Sequence, residues 1–174
     1  EPLKKALEDR SDSSELLALL GTAYRRDGRL EEAVGAFEKA VALDPDQAGV
    51  LYNFGNALRD VGRLEDAAKK FQKAVAIDPG FTDARFNLGN VFHLLDRQVE
   101  AAEGFEELVA ANPSDIEAHW KLGFALVRLG RPEDAVPVYN KAIAVDPNNA
   151  ETHDFLGGAL KKMGKLDEAA GSYR

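Results

Sequence analysis

The chain has 174 residues, of which 45% are hydrophobic and 30% are charged, and its formal net charge is −8. That length and apolar content are enough to bury a core, and the many Ala, Leu, Glu, Lys and Arg residues favour helix. The negative charge disfavours nucleic acid and anionic membrane surfaces as partners, because both are polyanions. The sequence has no cysteine, which excludes disulfides, thiolate catalysis and cysteine-ligated zinc. No apolar run approaches the roughly 20 residues that span a bilayer.

A period of 34 residues runs along the chain. Four prolines share it, and each follows an apolar residue and Asp or Asn: Pro45, Pro79, Pro113 and Pro147. A glycine column holds Gly21, Gly55, Gly89, Gly123 and Gly157, and an alanine column holds Ala33, Ala67, Ala101, Ala135 and Ala169. An aromatic column holds Phe37, Phe71, Phe105, Tyr139 and Tyr173. Several columns in register over five copies indicate an array of repeats.

Taken in chain order, residues 1–13 fit the second helix of a preceding partial copy, with Ala6 in the small-residue column and Ser11 in place of proline. Five copies follow, at residues 14–47, 48–81, 82–115, 116–149 and 150–174, the last of them truncated. The chain opens at Glu1 without an initiator methionine, within an expected helix. We therefore expect an excerpt of a longer protein whose ends are uncapped.

Each copy is predicted to form two amphipathic helices. The expected buried stripes of the first copy are Leu17, Leu20, Gly21 and Tyr24, then Leu30, Ala33, Phe37, Ala40 and Leu43. We expect the glycine and alanine columns to let the two helices approach closely. The aromatic column is expected to fill the space that opens further along the hairpin.

The turns within the copies also repeat. The first helix is followed by glycine in four copies, at Gly28, Gly62, Gly130 and Gly164, where a left-handed residue commonly ends a helix. The third copy has Asp96 there, which tolerates this conformation less well than glycine, so we expect a slightly different turn. An Asp-Pro or Asn-Pro pair is expected to end the second helix.

The third and fourth copies depart from the pattern. Leu108 replaces a small alanine, Gln98 replaces a leucine, and Pro137 lies inside a predicted helix. Proline within a helix removes a hydrogen bond and favours a bend. We therefore predict the most irregular junction between these two copies.

These columns resemble the tetratricopeptide repeat (TPR) signature of Trp, Leu-Gly, Tyr, Ala-x3-Phe and Pro over 34 residues. The first copy reads Leu20-Gly21, Tyr24, Ala33-x3-Phe37 and Pro45. The resemblance implies an all-α fold, a right-handed superhelical solenoid of antiparallel helix-turn-helix TPR hairpins. It also implies a concave face lined by the first helix of each hairpin, and a binding module for proteins or peptides.

Patterns for catalysis and metal binding are weak. His119 and His153 lie in equivalent places of adjacent copies, so a metal bridging them is conceivable. We favour the interpretation that both histidines are partly buried packing residues in the column that holds Trp in the consensus. No carboxylate clusters with them at the spacing of metal ligands. No serine has a nucleophile-elbow pattern, and no glycine-rich phosphate loop occurs. We predict no enzyme activity, no catalytic residue, no cofactor and no metal.

The predicted working surface is the concave groove of the second to fourth copies. Asparagine amides can donate to and accept from a peptide backbone, and aromatic side chains can anchor apolar groups. The candidate residues are Tyr52, Asn53, Asn56, Arg59, Phe86, Asn87, Asn90, Trp120 and Lys121. The alternative is that asparagine is common at these columns whatever the ligand.

Some family members bind peptide C-termini with a carboxylate clamp of Asn and Lys or Arg. Asn56, Asn87 and Lys121 resemble part of that clamp, whereas Tyr52 and Glu117 stand where the clamp is basic. The resemblance to the clamp is therefore partial.

Three functions fit the sequence. The leading hypothesis is a non-catalytic scaffold that holds a peptide or partner segment in the groove. A second is the substrate-recognition arm of a larger enzyme, since residues 52–58 and 86–91 resemble repeats that precede protein O-glycosyltransferase domains. A third is a structural scaffold that self-associates through uncapped terminal helices. We expect no nucleic-acid partner and no membrane insertion, and a cytoplasmic location with the periplasm left open.

Overall fold

The computed structural model describes residues 13–172, and over these residues every regular element is an α-helix. The helices are Ser14–Arg26 (α1), Leu30–Leu43 (α2), Ala48–Asp60 (α3), Leu64–Ile77 (α4), Thr82–Leu94 (α5), Gln98–Ala111 (α6), Ile116–Arg128 (α7), Pro132–Val145 (α8), Ala150–Lys162 (α9) and Leu166–Ser172 (α10). The all-α prediction is confirmed. The partial copy predicted for residues 1–13, apart from Ser13, and the aromatic Tyr173 lie outside the described residues.

The helices form two compact units, one ending at Val91 and the other beginning at Phe92. In the first unit α1 packs on α2 and α3 packs on α4, while α3 also contacts α1 and α2. In the second unit α7 packs on α8 and α9 packs on α10, while α7 contacts α6 and α9. Within each unit, helices contact both their hairpin partner and the neighbouring hairpin. This is the contact pattern of stacked helical hairpins.

In the first, second and fourth copies the glycine of the glycine column packs directly under the aromatic residue of the same copy. A methyl group at Gly55 would lie 2.7 Å from the ring of Phe71, and one at Gly123 would lie 2.5 Å from the ring of Tyr139. Phe71 and Tyr139 are buried, so the ring takes the volume that any larger residue would need. The expectation that the aromatic residue fills a space further along the hairpin was therefore wrong. The glycine is small because the ring of the second helix lies on it.

Two residues of the predicted buried stripes are exposed. Leu20 is 41% exposed and Leu43 is 52% exposed. Leu20 corresponds to Phe54, which is buried against Phe37 of the preceding hairpin at a ring-centroid distance of 6.0 Å. Among the described residues no helix precedes α1, so Leu20 has no such neighbour. Leu43 is the last residue of α2, beyond the turns that pack on the adjoining helices.

The predicted left-handed turns are confirmed. The residues that follow the first helices have positive φ: Gly28 (78°), Gly62 (81°), Asp96 (59°), Gly130 (76°) and Gly164 (77°). Asp96, for which a slightly different turn was expected, adopts the same left-handed conformation with a somewhat smaller φ. Its carboxylate accepts hydrogen bonds from Gln98 Nε2 at 3.2 Å and from Arg128 at 2.9 Å.

The Asp-Pro pairs end the second helices through a specific turn. Asp78 has an extended backbone, as the residue before a proline prefers, and its carboxylate accepts a hydrogen bond from the Gly80 N–H at 3.0 Å. Asp146 does the same for Asn148 at 3.1 Å, and Asn112 for Ser114 at 3.2 Å. The side chain thus forms an Asx-turn that directs the chain toward the next helix.

Gln98 is buried at the start of α6, where the first, second and fifth copies have leucine. Its Nε2 donates to the carbonyl of His93 at 3.3 Å, and its Oε1 lies 2.9 Å from His93 Nδ1. The amide therefore meets polar partners within the turn itself, which offsets the cost of burying it. This explains how the third copy accommodates a polar residue in an apolar column.

A column of ion pairs, which the sequence analysis did not predict, lies at the start of the second helices. The basic residue before each helix pairs with an acid three residues later: Arg29–Glu32, Arg63–Asp66 at 2.9 Å, Arg97–Glu100 at 2.7 Å, Arg131–Asp134 at 2.6 Å and Lys165–Glu168 at 3.1 Å. The arginine hydrogen bonds lower the pKa of Glu32, Asp66 and Glu100. The acids also lie in the first helical turn, where the helix dipole favours negative charge.

These ion pairs predict a loss of stability in acid. Because the folded-state pKa of each carboxyl lies below its unfolded value, the pairs contribute stability above the unfolded pKa and lose it as pH falls through the folded pKa. A variant with Glu32→Gln, Asp66→Asn and Glu100→Gln should therefore show a flatter decline of unfolding free energy between about pH 5 and pH 3. Urea denaturation across that range measures the decline.

The matched control replaces Glu65, Glu103 and Glu106 with glutamine. These glutamates are exposed and have no ion-pair partner among residues 13–172. The control should retain the acid dependence of the parent chain. An equal flattening in both variants would contradict the assignment to the ion pairs.

Candidate functional site

The structure brings three candidate residues of the first unit together. Asn87 on α5 donates from Nδ2 to Asn56 Oδ1 on α3 at 2.9 Å and to the Tyr52 hydroxyl at 3.4 Å. Asn56 is 4% exposed, whereas Tyr52 and Asn87 are half-buried. Asn56 therefore holds Asn87 in place from beneath, and Asn87 is the more accessible of the two amides.

The ring of Tyr52 is part of the packing of the first unit. Its centroid lies 4.9 Å from that of Phe81 and 5.9 Å from that of Phe71. It borders a small core cluster of Leu51, Ala74 and Ala84. Since these contacts fix the ring, the Tyr52 hydroxyl is a fixed acceptor for Asn87 rather than a mobile anchor.

The remaining candidates of the first unit differ in their surroundings. Asn53 and Asn90 are half-buried and have no hydrogen-bond partner within the described part of the chain. Arg59 pairs with Asp60 at 3.0 Å, and Asp60 also pairs with Arg25 at 2.6 Å. Arg59 is thus held by an ion pair. Phe86 is half-buried on α5.

The candidates of the second unit belong to an aromatic cluster. The ring of Trp120 on α7 stacks on that of Phe155 on α9, with centroids 5.0 Å apart and an interplanar angle of 7°. Phe155 also stacks on Tyr139 at 6.0 Å and meets Phe124 edge to face at 5.9 Å. Lys121 Nζ lies 4.5 Å from the centroid of the Trp120 ring.

Burial lowers the pKa of Lys121, because desolvation disfavours its charged form. The carboxylates of Glu117 and Glu151 oppose this shift by their charge. The ammonium of Lys121 is therefore partly desolvated, lies close to an aromatic ring and is stabilised by the charge of two acidic residues.

Sequence reasoning did not include Phe124 and Phe155 in the candidate set. A signal was present, because Phe155 continues the column of Asn53, Asn87 and Lys121, and Phe124 continues that of Asn56 and Asn90. The second column therefore changes from an amide to an aromatic residue in the fourth copy, and the first column does so in the fifth copy, after Lys121.

The histidines bond to the backbone. His119 is 1% exposed, and its Nδ1 lies 2.8 Å from the Asp115 carbonyl oxygen. His153 is half-buried, and its Nε2 lies 2.9 Å from the Pro147 carbonyl oxygen. Within residues 13–172 no three His, Cys, Asp or Glu side chains are grouped to hold a metal ion. No helix in this range combines the length and apolar character needed to cross a membrane.

Two models of the tetratricopeptide repeat match this chain. The model of the TPR repeat matches residues 21–58 and 55–96, and that of the tetratricopeptide repeat matches residues 116–149. No curated protein sequence matches the chain.

Several solved structures share the fold. MamA from Desulfovibrio magneticus RS-1 superposes with a TM-score of 0.85 at 25% identity, covering 93% of this chain and 92% of that one. Another MamA structure gives 0.82 at 26% identity, covering 88% and 90%. YrrB, described as a TPR protein with an unusual peptide-binding site, gives 0.83 at 23% identity, covering 99% and 89%. The repeat matches and the stacked hairpins together show that the chain belongs to the tetratricopeptide repeat family, whose members are in general protein-interaction scaffolds.

Proposed function

We propose that the chain is a non-catalytic scaffold that binds an extended peptide or partner segment through the asparagines of α3 and α5. The observation that carries this proposal is the hydrogen bonding of Asn87. Both of its N–H groups are directed to partners within the unit, Asn56 and Tyr52. This leaves the Asn87 Oδ1 as an acceptor held in one orientation.

The neighbouring amides supply the complementary groups. Asn53 and Asn90 can each donate and accept, and neither makes a hydrogen bond within the described residues. An extended peptide backbone alternates N–H and C=O groups, so it matches a row of amides without regard to its side chains. A fixed acceptor next to two unoccupied amides therefore suits backbone recognition.

This surface is suited to binding rather than to chemistry. Amides and aromatic rings do not act as nucleophiles, and they do not exchange protons near neutral pH. The fold shared with YrrB, described as having a peptide-binding site, supports a similar use of this chain.

A peptide selected from a random library displayed on phage provides the test ligand. Its affinity for the parent chain and for Asn53→Ala/Asn87→Ala would be measured by calorimetry. Loss of about two hydrogen bonds, each contributing roughly 1 kcal/mol, should weaken binding by about tenfold or more. The matched control is Asn140→Ala, an exposed asparagine on α8, which should bind like the parent. Equal affinities for the double variant and the parent would remove the asparagines from the binding surface.

A further inference from the structure

The aromatic cluster of the second unit contacts a cation of the chain itself, the Lys121 ammonium. Trp120 is half-buried, and its ring is held parallel to that of Phe155. Lys121 Nζ lies over the ring, 4.5 Å from its centroid. This distance is typical of a cation–π contact, and tryptophan is the side chain that makes the strongest one.

Two carboxylates favour this cation through their charge. Glu117 on α7 and Glu151 on α9 both interact electrostatically with the Lys121 ammonium, and both are exposed. A cationic group over Trp120 thus contacts the aromatic face, and the charges of Glu117 and Glu151 stabilise it. The whole second unit is acidic, with 14 Asp and Glu residues against 9 Lys and Arg residues between positions 92 and 174.

Lys121 is a costly occupant of this position. Its half-buried ammonium loses hydration, and burial lowers its pKa. A guanidinium is more weakly hydrated than an ammonium and stacks flat on aromatic rings. An arginine side chain from another molecule would therefore gain the same aromatic and acidic contacts at a smaller cost in hydration.

We propose that the Trp120 ring, with Glu117 and Glu151, binds a basic side chain of a protein or peptide partner, preferably arginine, and that Lys121 occupies this position until the partner displaces it. The inference rests on the proposed function and adds a class of partner to it: a segment that carries positive charge. Phe155 acts as a positioning residue, because it holds the Trp120 ring without touching the cation in this scheme.

Trp120 is the only tryptophan of the chain, so its fluorescence reports on this position alone. The probes are octapeptides of Gly and Ser with blocked ends and three arginines, and matched peptides with three glutamines or three glutamates. The arginine peptide should change the emission of the full chain in a saturable manner, and added salt should weaken it. The glutamine peptide should bind more weakly and the glutamate peptide not at all.

The Lys121→Ala variant gives the most specific result. Removing the internal competitor should tighten binding of the arginine peptide by roughly two- to fivefold, the equivalent of one exposed cation–π contact. A residue with a merely structural role would not produce tighter binding when truncated. Glu117→Gln/Glu151→Gln should weaken binding, whereas the control Glu103→Gln/Glu106→Gln, on α6, should not. Circular dichroism of each variant establishes that it is folded.

Three outcomes would overturn the inference: no saturable binding of the arginine peptide, weaker binding by Lys121→Ala, or preference for the glutamate peptide. The last two would make Lys121 itself the group that contacts the ligand. These results are distinguishable from failure of the proposed function, which depends on Asn53 and Asn87 in the first unit and on a separately selected peptide.

Discussion

Replacing Gly55 with alanine should lower the free energy of unfolding by about 2 kcal/mol. The added methyl group would lie 2.7 Å from the ring of Phe71, and that ring has no exposed surface through which it could move aside. Overpacking of this kind costs up to about 3 kcal/mol. The better helix propensity of alanine offsets about 1 kcal/mol of this cost. Chemical denaturation followed by circular dichroism measures the difference.

Gly35 provides a matched control, because its replacement with alanine should change stability in the opposite direction. Gly35 also lies inside a helix, α2, but a methyl group there would meet nothing within 4 Å. Gly35→Ala should therefore raise stability by up to about 1 kcal/mol, since only the gain in propensity remains.

A double variant tests the cause of the Gly55 effect. In a chain that carries Phe71→Leu, the ring is absent, and Gly55→Ala should cost little or nothing. The two substitutions should thus be coupled by at least about 1 kcal/mol. An unchanged cost of Gly55→Ala in that background would contradict the proposed contact with the ring.

Replacing Pro137 with alanine should raise the free energy of unfolding by about 2 kcal/mol. Pro137 is exposed and lies within α8, Pro132–Val145, beyond its first turn. Proline there is about 3 kcal/mol less favourable than alanine, because it lacks the N–H and crowds the carbonyl four residues earlier. About 1 kcal/mol of this is offset, since proline restricts the unfolded chain. Denaturation curves of the two chains give the value.

Pro132 provides the comparison for this variant. It occupies the first turn of the same helix, where the missing N–H has no helical partner. Pro132→Ala should therefore leave stability nearly unchanged. Equal effects at both prolines would mean that the position within the helix does not decide the cost.

Much of the fold could be predicted from the sequence because it is a local property repeated five times. The helices follow from amphipathic patterns, and their ends follow from glycine, Asp96 and proline, residues whose backbone preferences act within a few positions. Asp96 was expected to form a slightly different turn, and its φ of 59° lies in the same left-handed region as the glycines, whose φ values are 76° to 81°. The family followed from the columns, because several in register are specific to one repeat.

The contacts between helices could not be predicted with the same detail. Gly55 was expected to be small for close helix approach, whereas its size is set by the Phe71 ring of the partner helix. Leu20 was expected to be buried like Phe54, but burial depends on a preceding helix rather than on the residue itself. Gln98 looked irregular in the sequence, and only the turn around His93 shows where its amide finds partners.

The candidate surface, too, could be predicted from the sequence only in part. The sequence by itself determined the repeat, the helices and the columns that hold Asn53, Asn87 and Lys121, since residue type and spacing are enough to fix a face of a helix. Only the tertiary structure decided that Asn56 and Tyr52 hold Asn87, and that Phe155 holds Trp120 beneath Lys121. The physical reason is that hydrogen bonds and ring stacking depend on distances between side chains of different helices. Those distances are set by how the hairpins stack, which no single copy of the repeat specifies.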